Sequence, residues 1–167
     1  VLRTANRKGS LLPPARIFEL LREQGVFINL DFIYGLPGQT AAGFEETIRQ
    51  AASLRPDRLV TFSYAHVPWV NKDMLKLEKA GLPEAEEKSN MYRRAAASLS
   101  ERGYVPVGLD HFVQPDDSLH VALQKGLLHR NFQGYCTRAT TGQVYAFGVT
   151  AISQLAAAYS QNIRGVQ

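Results

Sequence analysis

Apolar and polar positions change period several times along this chain, and each change marks an element. From Pro14, apolar residues recur at Ile17, Leu20 and Leu21, the spacing of one helical face. Pro14 suits the first helical position, where its missing N–H costs nothing, and Gly25 ends the helix. Residues 26–34 are rich in branched and aromatic side chains and predict a strand. Gly35, Pro37 and Gly38 make a turn, and Thr40 is a good N-cap for a helix carrying Phe44, Ile48, Ala51 and Leu54. Pro56-Asp57 breaks that helix, and residues 59–66 predict a second strand closed by Pro68.

Further on the pattern becomes less regular. Residues 71–81 are charged and leave room for one short helix, and residues 84–102 predict a long one ending at Gly103. A shorter third strand is predicted over 104–109, and a helix from Pro115-Asp116-Asp117 to Gly126. Residues 127–143 read as loop, 144–147 as a short strand and 148–161 as helix. Helix alternating with strand over the first hundred residues places the chain in the α/β class, with parallel strands and right-handed crossovers. Two or three such units are too few to close a barrel, so the expectation is a partial (β/α) barrel. Residues 1–110 are read as the barrel portion and 111–167 as a loop and helix region following it in the same domain.

Side chains alternate along a strand, which puts Asn29, Asp31 and Ile33 on one face and Ile28, Leu30, Phe32 and Tyr34 on the other. In the second strand Thr61, Ser63 and Ala65 share a face. The expectation is that these small and polar faces meet and line an interior fit for a polar ligand. Asp31 is the sharpest residue there. A buried carboxylate is costly unless hydrogen-bonded or paired, and ligands of β/α proteins bind at strand C-termini. A structural ion pair with an arginine is the competing reading.

Composition narrows the classes. Of 167 residues, 45% are hydrophobic and 20% charged, which is ordinary for a water-soluble globular protein. The net charge is +4, but Lys and Arg are dispersed, so no nucleic-acid surface is expected. No stretch of 18 apolar residues spans a membrane. The single cysteine, Cys136, has no internal disulfide partner and cannot hold a metal cluster unaided. A reducing, cytoplasmic setting fits. The chain opens at Val1 inside a loop and reads as an excised portion of a longer protein.

The run Asp31-Phe32-Ile33-Tyr34-Gly35-Leu36-Pro37-Gly38-Gln39-Thr40 resembles the fifth-strand motif of coproporphyrinogen-type radical S-adenosylmethionine enzymes. A haem chaperone of the same superfamily shares that run and is the alternative. Later runs resemble the oxygen-independent coproporphyrinogen III oxidases: Gly108-Leu109-Asp110-His111-Phe112, Pro115-Asp116-Asp117, Leu128-His129-Arg130-Asn131-Phe132-Gln133-Gly134-Tyr135, Gly148-Val149-Thr150-Ala151-Ile152-Ser153 and Tyr159-Ser160-Gln161-Asn162.

The resemblance implies the C-terminal part of a radical-SAM-type, TIM-like barrel. It implies an oxidoreductase of haem (porphyrin) biosynthesis that decarboxylates coproporphyrinogen III to protoporphyrinogen IX. Two S-adenosylmethionine molecules and a 4Fe-4S cluster come with it, as do a tetrapyrrole substrate and an electron donor protein. By the same resemblance Arg7, Asp31 and Ala65 match contacts to S-adenosylmethionine, and Ile152 a contact to the second molecule. The family's three-cysteine cluster loop is absent here, so no residue is assigned to metal and the chain alone is expected to be inactive. Gln114 stands where the family usually has Arg. His129 and Arg130 are then the cations expected to meet substrate carboxylates; the competing reading is a loop tied to its own backbone. Asp110 and His111 read as a substrate-side pair or a satisfied strand end, with the second preferred. Open sheet edges and apolar faces are expected to drive self-association.

Overall fold

The computed structural model describes residues 8–131, 134–137 and 143–165. The chain divides into two compact units, residues 1–115 and 116–167.

The first unit begins with helix α1 (Pro14–Glu23), opened by proline and closed where Gly25 turns to φ +64°. Strand β1 (Asn29–Tyr34), helix α2 (Ala41–Ser53) and strand β2 (Arg58–Ser63) follow. Next come helix α3 (Met74–Lys79), helix α4 (Ala85–Ser100) and the short strands β3 (Val105–Val107) and β4 (His111–Val113). β1 begins three residues later than the sequence pattern suggests. The approach to it is held instead by Asp57, whose Oδ2 accepts from the Ile28 N–H at 2.7 Å and pairs with Arg22 at 2.8 Å.

The sheet order is β1-β2-β4-β3. β1 and β2 are parallel, as the alternation of helix and strand requires. The expectation of parallel strands throughout fails beyond them. β4 enters between β2 and β3 and runs antiparallel to both. A tight turn at Gly108 (φ +66°) returns the chain against β3, and three-residue strands gave too little pattern to reveal it.

The register Leu30↔Leu59, Phe32↔Thr61, Tyr34↔Ser63 sets one face of the sheet. Against that face pack Phe44, Ile48 and Ala52 of α2 and Met91, Ala95 and Leu99 of α4, with Tyr104 and Phe112. The buried positions 44, 48, 51 and 52 in α2, and 91, 95, 98 and 99 in α4, recur with helical period. Thr40 caps α2 by accepting from the Gly43 N–H at 3.1 Å.

The second unit holds helix α5 (Ser118–Gln124), capped by Asp117, whose Oδ1 accepts from the Leu119 N–H at 2.7 Å. Two antiparallel hairpins follow: β5 (His129–Asn131) with β6 (Gly134–Cys136), and β7 (Ile152–Gln154) with β8 (Tyr159–Gln161). The helix expected over 148–161 is therefore wrong. The Ala-rich run 156–158 lies in the hairpin turn, where the Leu155 N–H donates to the Ala158 carbonyl at 2.7 Å. Gly148 and Thr150 take positive φ, which a helix does not allow. Polar side chains tie the segment to backbone: Asn162 Nδ2 donates to the Gly148 carbonyl at 2.8 Å and Gln161 Nε2 to that of Thr150 at 3.1 Å. The strand expected over 144–147 is reduced to one bridge, Val144 with Gln154.

Leu59 is fully buried between the helices and β1. Leu59→Ala is expected to lower the unfolding free energy by about 2–5 kcal/mol. Urea unfolding followed by circular dichroism measures it.

Candidate cofactor-binding site

The loop that leaves the C-terminal end of β1 is held at several points. Gly35 (φ +87°) and Gly38 (φ +74°) take backbone conformations that side-chain-bearing residues avoid. Gln39 clamps the turn: its Oε1 accepts from the Leu36 N–H at 2.8 Å, and its Nε2 donates to the Ile33 carbonyl at 3.0 Å. Helix α4 holds the loop from outside. Glu87 Oε1 accepts from the Ala41 N–H at 2.7 Å, satisfying a free donor at the start of α2. Lys88 Nζ donates to the Tyr64 carbonyl at 3.0 Å, and its stem lies so close to Gly35 that a Cβ there would meet Cε at 2.7 Å. Sequence reasoning missed Glu87 and Lys88, because their partners lie 46 and 24 residues away and leave no local pattern.

Asp31 lies on the sheet face opposite α2 and α4, is exposed, and accepts from Asn29 Nδ2 at 2.6 Å. The neighbours expected for it are corrected by the register. Asp31 stands opposite Val60, so its face carries Val60 and Phe62, not Thr61 and Ser63. Thr61 and Ser63 stand opposite Phe32 and Tyr34, on the helix side. There Tyr34 hydrogen-bonds Ser63, and burial pushes its phenol above the usual range, with Tyr92 and Asp110 nearby adding to the rise. The face of Asp31 is thus mixed: a carboxylate and an amide beside buried Val60 and partly exposed Ile33 and Phe62.

Ala65 is exposed in the segment just past β2. Its neighbours form a chain of contacts: Tyr64 OH with His66 Nδ1 and His66 Nε2 with Glu78 Oε2, both at 3.3 Å. Arg7 lies outside the described residues. Ile152 is half-buried in β7, in a shallow cleft with Val144, Ala146 and Phe147. His129 and Arg130 are exposed on β5, with the Arg130 guanidinium 5.5 Å from the Tyr135 ring centre and the His129 carbonyl near Cys136 Sγ. Gln114 lies at the other end of the sheet from Asp31 and Ala65. Its N–H approaches the Asp57 carbonyl at 3.4 Å and its side chain bonds Tyr104, beside Pro56 at the start of β2. That edge is remote from the strand C-termini where β/α ligands bind.

The donor set of the first unit suits a ligand with a diol or amino group: an exposed carboxylate, an amide, and backbone brought close by glycine and alanine. An iron–sulfur cluster does not fit the residues of this chain. Cys136 is its single thiol, and among the described residues no group of three His, Cys, Asp or Glu could hold a metal.

No family model matches the chain. It is 45% identical over 154 residues to the oxygen-independent coproporphyrinogen III oxidase of Synechocystis, covering 90% of this chain and 33% of that protein. It is 45% identical over 150 residues to the Escherichia coli oxidase of the same name, and 43% over 164 residues to that of Bradyrhizobium diazoefficiens, covering 87% and 97% of this chain and 33% and 36% of those proteins. The chain thus spans about a third of the length of the curated relatives it matches. The solved structure of E. coli coproporphyrinogen III oxidase, described as a radical SAM enzyme, superposes with a TM-score of 0.86 at 41% identity, over 98% of this chain and 38% of that one. The chain therefore has the α/β fold of that part of the enzyme.

Gly35 combines a positive φ with contact to Lys88. Gly35→Ala is expected to destabilise the chain by about 1–3 kcal/mol. Adding Lys88→Ala is expected to recover only the part due to the clash, and paired thermal melts separate the two terms.

Proposed function

On the premise that this chain is homologous, over nearly its whole length, to a third of the oxygen-independent coproporphyrinogen III oxidases, we propose that the whole protein oxidatively decarboxylates coproporphyrinogen III in porphyrin biosynthesis. Two propionates become vinyl groups, giving protoporphyrinogen IX. This chain supplies one wall of the cofactor and substrate chamber. The observation that carries the reading is Asp31, on the sheet face away from the helices, three residues before the end of the strand whose glycine turn is locked by Gln39, Glu87 and Lys88.

S-adenosylmethionine, when bound, supplies radical hydrogen abstraction. The residues of this chain bind and orient it: Asp31 accepts hydrogen bonds from the ligand, Asn29 fixes that carboxylate, and the exposed backbone at Ala65 closes against it. Arg7 contributes a further contact, Ile152 packs on a second molecule of the same cofactor, and His129 and Arg130 meet substrate carboxylates. The 4Fe-4S cluster is held by residues other than these, and an electron donor protein serves the full enzyme. No described helix is long and apolar enough to cross a membrane. The chain alone is inactive, and its exposed Ile33, Phe62, Trp69 and Val70 lead it to self-associate.

In the full-length protein, Asp31→Ala is expected to weaken S-adenosylmethionine binding by about ten- to a hundredfold, the worth of a hydrogen bond to a charged group. Calorimetric titration measures it, and an unchanged affinity overturns the assignment. The isolated chain is expected to elute above its monomer size on gel filtration; a sharp monomer peak counts against the proposed association.

A further inference from the structure

The peptide joining Tyr64 to Ala65, just past β2, is held by a side chain where the strand ladder would use backbone. The Tyr64 N–H donates to the Tyr34 carbonyl at 2.8 Å, which carries the β1–β2 ladder one residue beyond β2. One further step of a parallel ladder would bring the Leu36 N–H to the Tyr64 carbonyl. Gly35 turns the chain away at φ +87°, and the Leu36 N–H goes to Gln39 Oε1 at 2.8 Å. Lys88 of α4 takes the vacated place: its Nζ donates to the Tyr64 carbonyl at 3.0 Å.

The lysine stem reaches that carbonyl over Gly35. A Cβ on Gly35 would lie 2.7 Å from Lys88 Cε, 3.1 Å from Cδ and 3.2 Å from Cγ, so the glycine leaves the room through which the stem passes. Lys88 is half-buried and has no carboxylate partner among the described residues. An ammonium drawn out of water without a counter-charge is costly, and the Tyr64 carbonyl is the acceptor that offsets part of that cost.

The consequence falls on Ala65. A peptide unit is planar, and in its trans form the N–H points opposite to the carbonyl. Fixing the Tyr64 carbonyl therefore fixes the Ala65 N–H, directed away from Lys88. That N–H meets no acceptor among the described residues, and Ala65 is exposed. On the other side of Ala65, the His66 ring is held through both nitrogens by Tyr64 and Glu78, at 3.3 Å each. Ala65 thus presents an open backbone donor between two fastened neighbours.

We propose that Lys88 is a positioning residue for S-adenosylmethionine: by holding the Tyr64 carbonyl it presents the Ala65 N–H to an acceptor atom of the cofactor. This rests on the function proposed above, in which Ala65 contacts that cofactor. Lys88 acts through the peptide, from the helix side of the sheet.

The test titrates the full-length protein by calorimetry with S-adenosylmethionine and, as the control probe, coproporphyrin III, and follows thermal melting alongside. Lys88→Met keeps an unbranched stem over Gly35 and removes the donor. It is expected to weaken S-adenosylmethionine binding about tenfold and to leave coproporphyrin III binding unchanged. Lys88→Gln, shorter and uncharged, is expected to lose affinity in the same direction and serves where the methionine variant does not fold. Lys88→Arg restores a cationic donor and is expected to bind within about threefold of wild type. Wild-type affinity for S-adenosylmethionine in Lys88→Met or Lys88→Gln overturns the assignment. So does a loss shared by both probes, or a loss with lowered melting temperature that Lys88→Arg does not recover, since each marks packing alone. Wild-type protein that binds no S-adenosylmethionine overturns the proposed function itself, and the role of Lys88 with it.

Discussion

The parallel register of β1 against β2 is the constraint on which the rest depends. Side chains along a strand alternate, so a one-residue slip would exchange every residue between the two faces. Leu30 opposite Leu59 and Phe32 opposite Thr61 put the apolar row beneath α2 and α4, where Ile48, Met91 and Leu99 lose essentially all contact with water. Burial of side chains of that size stabilises the register by about 1.5–3 kcal/mol each. The same register leaves Asn29 and Asp31 on the far side. A carboxylate under the helices would lose its hydration without a partner, so core packing and site placement are one decision.

The two ends of the sheet divide the work. At the start of the parallel strands, Asp57 holds the Ile28 N–H and Arg22, and the Tyr104 hydroxyl donates to the Pro56 carbonyl at 2.6 Å. Burial pushes that phenol upward, as expected of a hydroxyl held neutral in the core. These contacts fasten chain to chain. At the opposite end the backbone is bent through glycine, and long side chains from α4 brace it from behind. Precision at such a loop comes from supports of this kind, because a loop without them samples many conformations.

Elements built from local period were legible in the sequence. Pro14, Gly25 and Thr40 marked helix ends correctly, and Phe44, Ile48 and Ala51 of α2 are buried as their spacing indicates, though Leu54 is only half-buried. The α/β class came from alternation of those elements. What could not be read was pairing. Strands of three residues, such as β3 and β4, carry almost no periodic signal, and insertion of β4 between β2 and β3 is decided by contacts distant in sequence. The placement of Ser63 beside Asp31 failed for the same reason, since alternation gives two faces per strand but not which faces align. The helix expected over 148–161 failed because three alanines raise helix propensity in a segment that positive φ at Gly148 and Thr150 and the β7–β8 pairing take out of helix.

Asp110 and His111 show how pairing changes the meaning of residues that sequence leaves ambiguous. In one dimension they are adjacent polar residues at a strand end, and satisfying each other is the simplest reading. In the sheet, adjacency puts them on opposite faces, one toward Tyr34 and the other toward Asp31. A mutual hydrogen bond between residues on opposite faces must pass around the strand end, which fixes both side chains more tightly than exposure to water would. Such fixation costs side-chain entropy, about 1–2 kcal/mol for the two residues together.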